Sequence, residues 1–135
     1  MKVLIIGASG MLGHQIWKKL NTVYPDQVYG TVRNEPSYYS KYSTFNLEKL
    51  VGHVDVTQFS TVEAAVQKIN PTWIINCVGI TLRKPDLNDM NRCIDINSML
   101  PHKLALLAEN IKAKIVHFST DCVFDGLKGD RKSVV

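Results

Sequence analysis

Near its start the chain runs four branched aliphatic residues, Val3-Leu4-Ile5-Ile6, straight into the turn Gly7-Ala8-Ser9-Gly10-Met11-Leu12-Gly13. An unbroken apolar run of that length reads as a short strand buried on both faces, as in a parallel sheet. A helix should follow, because Leu12, Ile16 and Leu20 return to one face. Each glycine meets a separate need. Gly7 permits the tight strand-to-helix turn, Gly10 lets backbone approach a pyrophosphate, and Gly13 lets the helix sit against the sheet. Unpaired N–H groups at the helix start, around Ser9, Met11 and Leu12, would hold the phosphates with help from the helix dipole. A turn that merely packs is the bland alternative. Its place between a strand and a helix favours a dinucleotide site instead. The chain has no Gly-Lys-Ser/Thr, so a P-loop triphosphatase is a poor reading.

With 135 residues, 45% of them hydrophobic, the chain can bury one good core, so residues 1–135 are expected to form a single domain. There is no run of eighteen apolar residues to enter a membrane. The glycine turn comes too early to leave room for a signal peptide, and the cytoplasm is the expected location. Cys77, Cys93 and Cys122 are odd in number and lack C-x-x-C spacing. They read as reduced thiols, with neither a disulfide frame nor a metal site. The net charge of +4 comes from scattered basic residues. Solvated surface explains them better than a nucleic-acid stripe, although a basic rim around a phosphorylated ligand also fits.

Strand and helix patterns alternate along the chain. Strands are expected at about 2–6, 27–32, 51–56, 73–78 and 114–118. One helix should cover roughly 11–21, and another should run from Thr57 or Ser60 to Asn70-Pro71. Its stripe is Phe59, Val62, Val66 and Ile69. A third, long helix is capped by Asp86. Residues 34–50 read as a loop with a short helix, and the tail from Gly126 shows no element. This is an α/β pattern. It predicts a Rossmann-type, doubly wound parallel sheet of order 3-2-1-4-5, with helices on both faces and ligands at the carboxyl ends of the strands.

The polar residues at those strand ends are the candidate site. Arg33 follows the second strand where an acid would take a ribose 2′-OH, and arginine suits a 2′-phosphate. NADP is therefore favoured over NAD, with a solvated surface arginine as the alternative. Asp55-Val56 closes the third strand, where Asp55 would accept from an adenine amino group and Val56 pack on the ring. Asp55 could equally lead into the next helix. In Asn76-Cys77-Val78-Gly79, Gly79 would let backbone lie beside the second ribose or the nicotinamide. Asn76 should bond backbone on a neighbouring strand in a structural role. Pro101 cannot donate to the Asn97 carbonyl, so the helix should kink and leave that carbonyl free for a water. Ser119 and Thr120 place two hydroxyls after the fifth strand, suited to a substrate carbonyl. His117 reads as a satisfied core histidine and Cys122 as packing or pocket wall.

Taken with Gly7 to Gly13, Asp55-Val56, Asn76 to Gly79 and Asn97 to Pro101, the run Ser119-Thr120-Asp121-Cys122-Val123-Phe124-Asp125-Gly126 resembles the extended short-chain dehydrogenase/reductase family. The nearest branch is that of sugar-nucleotide reductases of the dTDP-4-dehydrorhamnose reductase type. The resemblance implies an NADP(H)-dependent enzyme, with NAD possible. It would reduce a keto group of a nucleotide-activated sugar for cell-surface polysaccharide synthesis, and it leaves room for a homodimer. It also implies that Thr120 is the catalytic hydroxyl residue and that Asn97 is the helix asparagine tied to a proton-relay water. The family's Tyr-x-x-x-Lys should follow the Asp-Gly motif, yet no such motif occurs and the last tyrosine is Tyr42. The chain is therefore expected to be the N-terminal part of a longer reductase, inactive alone. Cys122 stands where this branch usually has tyrosine, which leaves the sugar open. An epimerase or dehydratase of the same family is a rival reading, as is a non-catalytic regulatory subunit. A Tyr-x-x-x-Lys in the reading frame beyond Val135 would favour the enzyme.

Overall fold

The computed structural model describes residues 1–80 and 90–119. Its strands are β1 (Val3–Ile6), β2 (Val28–Thr31), β3 (Leu50–Val51), β4 (Trp73–Asn76) and β5 (Lys114–His117). All pair in parallel, in the order β3-β2-β1-β4-β5, as the alternating pattern predicts. The helices are α1 (Met11–Val23), α2 (Phe59–Ile69), α3 (Met90–Ile94) and α4 (Leu100–Asn110). A π-helical turn, Asp95–Met99, joins the last two.

Strand β1 is central and wholly buried. Because side chains alternate along a strand, it feeds two cores. Leu4 and Ile6 pack with Ile74, with Val62, Val66 and Ile69 of α2, and with Leu100 and Leu104 of α4. Ile5 joins Val28, Val32, Leu50 and Trp17 of α1. Each fully buried aliphatic contributes roughly 1.5–3 kcal/mol. This sheet, covered on both faces, is a Rossmann-type fold.

Three local expectations are corrected. The residues of α1 that bury are Gly13 and Trp17, with Leu12 exposed and Ile16 and Leu20 only half-buried. Gly30 of β2 makes this possible, since a Cβ there would stand 2.9 Å from the indole Cζ3. The indole Nε1 then donates to the Thr44 carbonyl at 3.0 Å. The third strand is two residues long rather than 51–56. His53 takes a left-handed φ of 58° that breaks the extended ladder, so Asp55 and Val56 lie in the turn entering α2. Finally, Pro101 is preceded by a π turn rather than a simple kink: the Leu100 N–H reaches back to the Asp95 carbonyl. A helix that meets a residue with no N–H and a clashing ring can widen in this way.

The expected end and stripe of α2 agree with the structure, and the helix starts at Phe59, between the two expected starts. Asn70, at φ 49°, ends α2 just before Pro71, and Val62, Val66 and Ile69 are buried. Residues 34–50 hold two 3-10 turns, Pro36–Tyr39 and Leu47–Lys49. Among the described residues no helix is long and apolar enough to cross a membrane. The Asp86 cap, Thr120, Cys122 and the tail lie outside the described residues.

Candidate dinucleotide site

The turn after β1 is held from β2. Gly7 N–H donates to Thr31 Oγ1 at 3.0 Å and Ala8 N–H to the Thr31 carbonyl at 3.0 Å. Gly7 sits at φ +81°, a region that any side chain would strain, and a Cβ on it would fall 2.6 Å from Val78 Cγ2. Gly13 packs against this turn rather than against the sheet. A Cβ there would overlap the Gly7 carbonyl oxygen and stand 3.0 Å from Ala8 Cα. Gly10 differs from both. It caps α1 in extended geometry, φ −72° and ψ 167°, which any residue adopts. The nearest atom to a Cβ on it is the Gly7 carbonyl oxygen at 3.3 Å. Among the described residues no side chain caps α1, and no acidic residue stands in its first turn. The positive end of the helix is therefore presented to whatever lies above Ser9, Gly10 and Met11.

Arg33 is exposed just beyond β2. Asp55 closes the turn into α2: its Oδ1 accepts from the Thr57 N–H at 2.9 Å and from the Thr57 hydroxyl at 2.7 Å. Its own N–H donates to Thr61 Oγ1 at 3.0 Å. These bonds from the Thr57 N–H and hydroxyl hold its carboxyl below the ordinary 3.8 against the opposing effect of burial, and Arg33 and Arg92 lower it further. Arg92, on α3, was not anticipated from sequence. A depressed acid stabilises the fold above its ordinary value, and that contribution fades as pH falls through its folded value. The parent should thus exceed Asp55→Asn in stability at pH 7, and the gap should close below about pH 4. Urea unfolding at pH 7 and pH 3 checks this; a gap unchanged at pH 3 would refute it.

At the end of β4, Asn76 is buried but does not reach a neighbouring strand's backbone. Its Oδ1 accepts from the Val78 N–H at 3.1 Å, in its own strand's exit. The amide nitrogen must then donate to His117 Nδ1 on β5, 3.1 Å away. His117 is exposed, so the expected core histidine is corrected to a partner of Asn76 at the sheet end. Cys77 is half-buried and its N–H donates to the Ile6 carbonyl at 3.0 Å. Burial pushes its thiol up to about 11, so it is an uncharged wall and not a nucleophile at neutral pH. Both polar atoms of the Asn97 side chain clamp one residue. Oδ1 accepts from the Ile80 N–H at 2.8 Å, and Nδ2 donates to the Ile80 carbonyl at 3.0 Å. The π turn thus fixes the loop that carries Gly79, whose own Cβ position lies 3.5 Å from Asn97 Oδ1. Ser119 is exposed beyond β5.

The carboxyl ends of β1 and β4 therefore bring together Gly7 to Gly13, Cys77 to Gly79 and Asn97. Asp55 and Arg33 stand toward β2 and β3, within each other's electrostatic reach. Thr31 was missed, because it reads as an ordinary strand former.

Residues 1–133 match the family described as the RmlD substrate binding domain. The chain belongs to this family. A probable dTDP-4,6-dihydroxy-2-methyloxan-3-one 4-ketoreductase of Streptomyces antibioticus is 30% identical over 132 residues, covering 93% of this chain and 37% of that protein. The hypothetical dTDP-4-dehydrorhamnose reductase of Sulfolobus tokodaii superposes with a TM-score of 0.73 at 29% identity, over 100% of this chain and 45% of that one. The dTDP-4-dehydrorhamnose reductase of Bacillus anthracis, solved in complex with NADP, gives 0.66 at 30% identity over 93% and 38%. The chain thus spans less than half the length of each of these relatives.

Proposed function

We propose that residues 1–135 are the NAD(P)-binding domain of an NADP(H)-dependent sugar-nucleotide reductase. Gly10 carries this reading: among the described residues a Cβ there would press only on the Gly7 carbonyl oxygen at 3.3 Å, whereas a pyrophosphate over the start of α1 leaves no room for a side chain. The Bacillus anthracis relative with NADP adds support. When bound, the cofactor would supply hydride to a keto carbon of the sugar. In this reading the N–H groups of Met11, Leu12 and Gly13 hold the pyrophosphate over Gly10, whose own N–H is bonded to the Gly7 carbonyl, and Ser9 and Arg33 lie on the adenosine side, where Arg33 takes the 2′-phosphate. Asp55 and Val56 flank the adenine. Cys77, Val78, Gly79, Asn97 and Ser119 line the nicotinamide end, and Thr120 orients the substrate carbonyl as the catalytic hydroxyl. The enzyme would act in the cytoplasm on precursors of cell-surface polysaccharide.

The test titrates NADPH and NADH into the protein and its Arg33→Ala variant. NADPH should bind the parent more tightly. The variant should lose roughly ten- to a hundredfold in NADPH affinity, the worth of a charge-assisted phosphate contact, with NADH unaffected. Equal affinity of the parent for the two cofactors would sink the assignment.

A further inference from the structure

The connection between β2 and β3 lays aromatic rings against the start of α1. Tyr39 and Phe45 pack edge to face at 5.9 Å, and Phe45 stands 5.4 Å from Trp17 and 5.5 Å from His14. Between these rings and the glycine turn lies a cleft of about 240 Å³, with Ser9, Gly10 and His14 on one side and Tyr39, Tyr42 and Phe45 on the other. Tyr39 is 6% exposed, yet its hydroxyl lies 3.5 Å from Ser9 Oγ. That is long for a bond between two hydroxyls. The separation does suit two donors converging on one acceptor oxygen, about 2.7 Å from each.

The surroundings specify an anionic acceptor. The positive end of α1 faces the cleft without an acidic side chain in its first turn. Arg33 stands where the connection leaves β2, and Lys41 rests over the rings of Tyr38 and Tyr42 at 5.1 and 5.2 Å. A pyrophosphate belongs over the N–H groups of α1 itself. The connection that carries Tyr39 leaves β2 at Arg33, the residue assigned above to the 2′-phosphate, so the phosphate reached from this side is the one on the adenosine ribose. We propose that the Tyr39 hydroxyl, together with Ser9 Oγ, binds the 2′-phosphate of the dinucleotide and so helps select NADP over NAD. This rests on the dinucleotide reading above.

Tyr39→Phe keeps the ring and removes only the hydroxyl. The variant should unfold at the parent's temperature, lose about tenfold in NADPH affinity, and bind NADH within twofold of the parent. Ser9→Ala should shift the same ratio in the same direction. Calorimetric titration of both cofactors, with a thermal melt of each variant, decides the matter. If the parent prefers NADPH and Tyr39→Phe keeps that preference unchanged, this inference fails and the dinucleotide reading stands. Equal weakening of both cofactors would also overturn it, because the hydroxyl would then serve the turn as a whole. A parent that binds neither cofactor, or both alike, refutes the cofactor reading and this inference with it.

Discussion

Gly13→Ala should cost about 3 kcal/mol, a large share of the roughly 5–15 kcal/mol that domains of this kind have to lose. Alanine is the better helix former by about 1 kcal/mol, which sets the size of the opposing gain. The clash wins because every atom in the way is backbone: the Gly7 carbonyl oxygen, its carbon at 2.9 Å and Ala8 Cα at 3.0 Å. None can rotate aside as a side-chain tip would. Relief would require α1 to lift from the turn, withdrawing Trp17 from the slot that Gly30 leaves for it. Circular dichroism and urea titration of the variant provide the measurement. A midpoint equal to the parent's would show that the helix does not rest on this turn.

Gly10→Val should do the opposite, leaving the fold and removing the ligand. Valine accepts the extended backbone of this position, and its Cβ meets only one carbonyl oxygen at 3.3 Å. Loss of a favourable capping residue costs about 1 kcal/mol. Affinity for NADPH should fall by more than about a hundredfold, because a branched side chain displaces the pyrophosphate from two or more N–H donors at roughly 1.5–3 kcal/mol each. The readouts are the fluorescence of bound NADPH and a thermal melt on the same sample. Normal binding by a folded variant would make the glycine turn a packing device only.

The sheet order was legible because four consecutive aliphatics before a glycine turn read as a strand covered on both sides, and a dinucleotide-type turn after the first strand favours the order 3-2-1-4-5 among right-handed windings. Trp17 was not legible: its burial depends on Gly30 of a different strand, a long-range fit that no local period reports. The early end of β3 was hidden for a similar reason. Leu50 to Val56 reads as extended, and the left-handed turn at His53 is set by Gly52 packing beneath Pro36, whose Cδ would lie 2.7 Å from a Cβ on that glycine. At the candidate site, the tight turn at Gly7 and the place of Asp55 before α2 were readable from type and spacing. The Asn97 clamp on Ile80 and the Asn76–His117 pair were not, since each joins elements distant in sequence.

Between β2 and β3 the chain builds no α-helix, only two short 3-10 turns and a cluster of rings lodged on α1. Rings packed edge to face or tilted impose no ladder register, and a loop's closing entropy changes slowly with its length. This connection can therefore gain, lose or exchange residues while the five strands keep their order. It works as an interchangeable cassette, clipped on by the Trp17–Thr44 bond. On the 2′-phosphate assignment proposed above, grafting its equivalent between family members should retune cofactor choice without redesigning the scaffold.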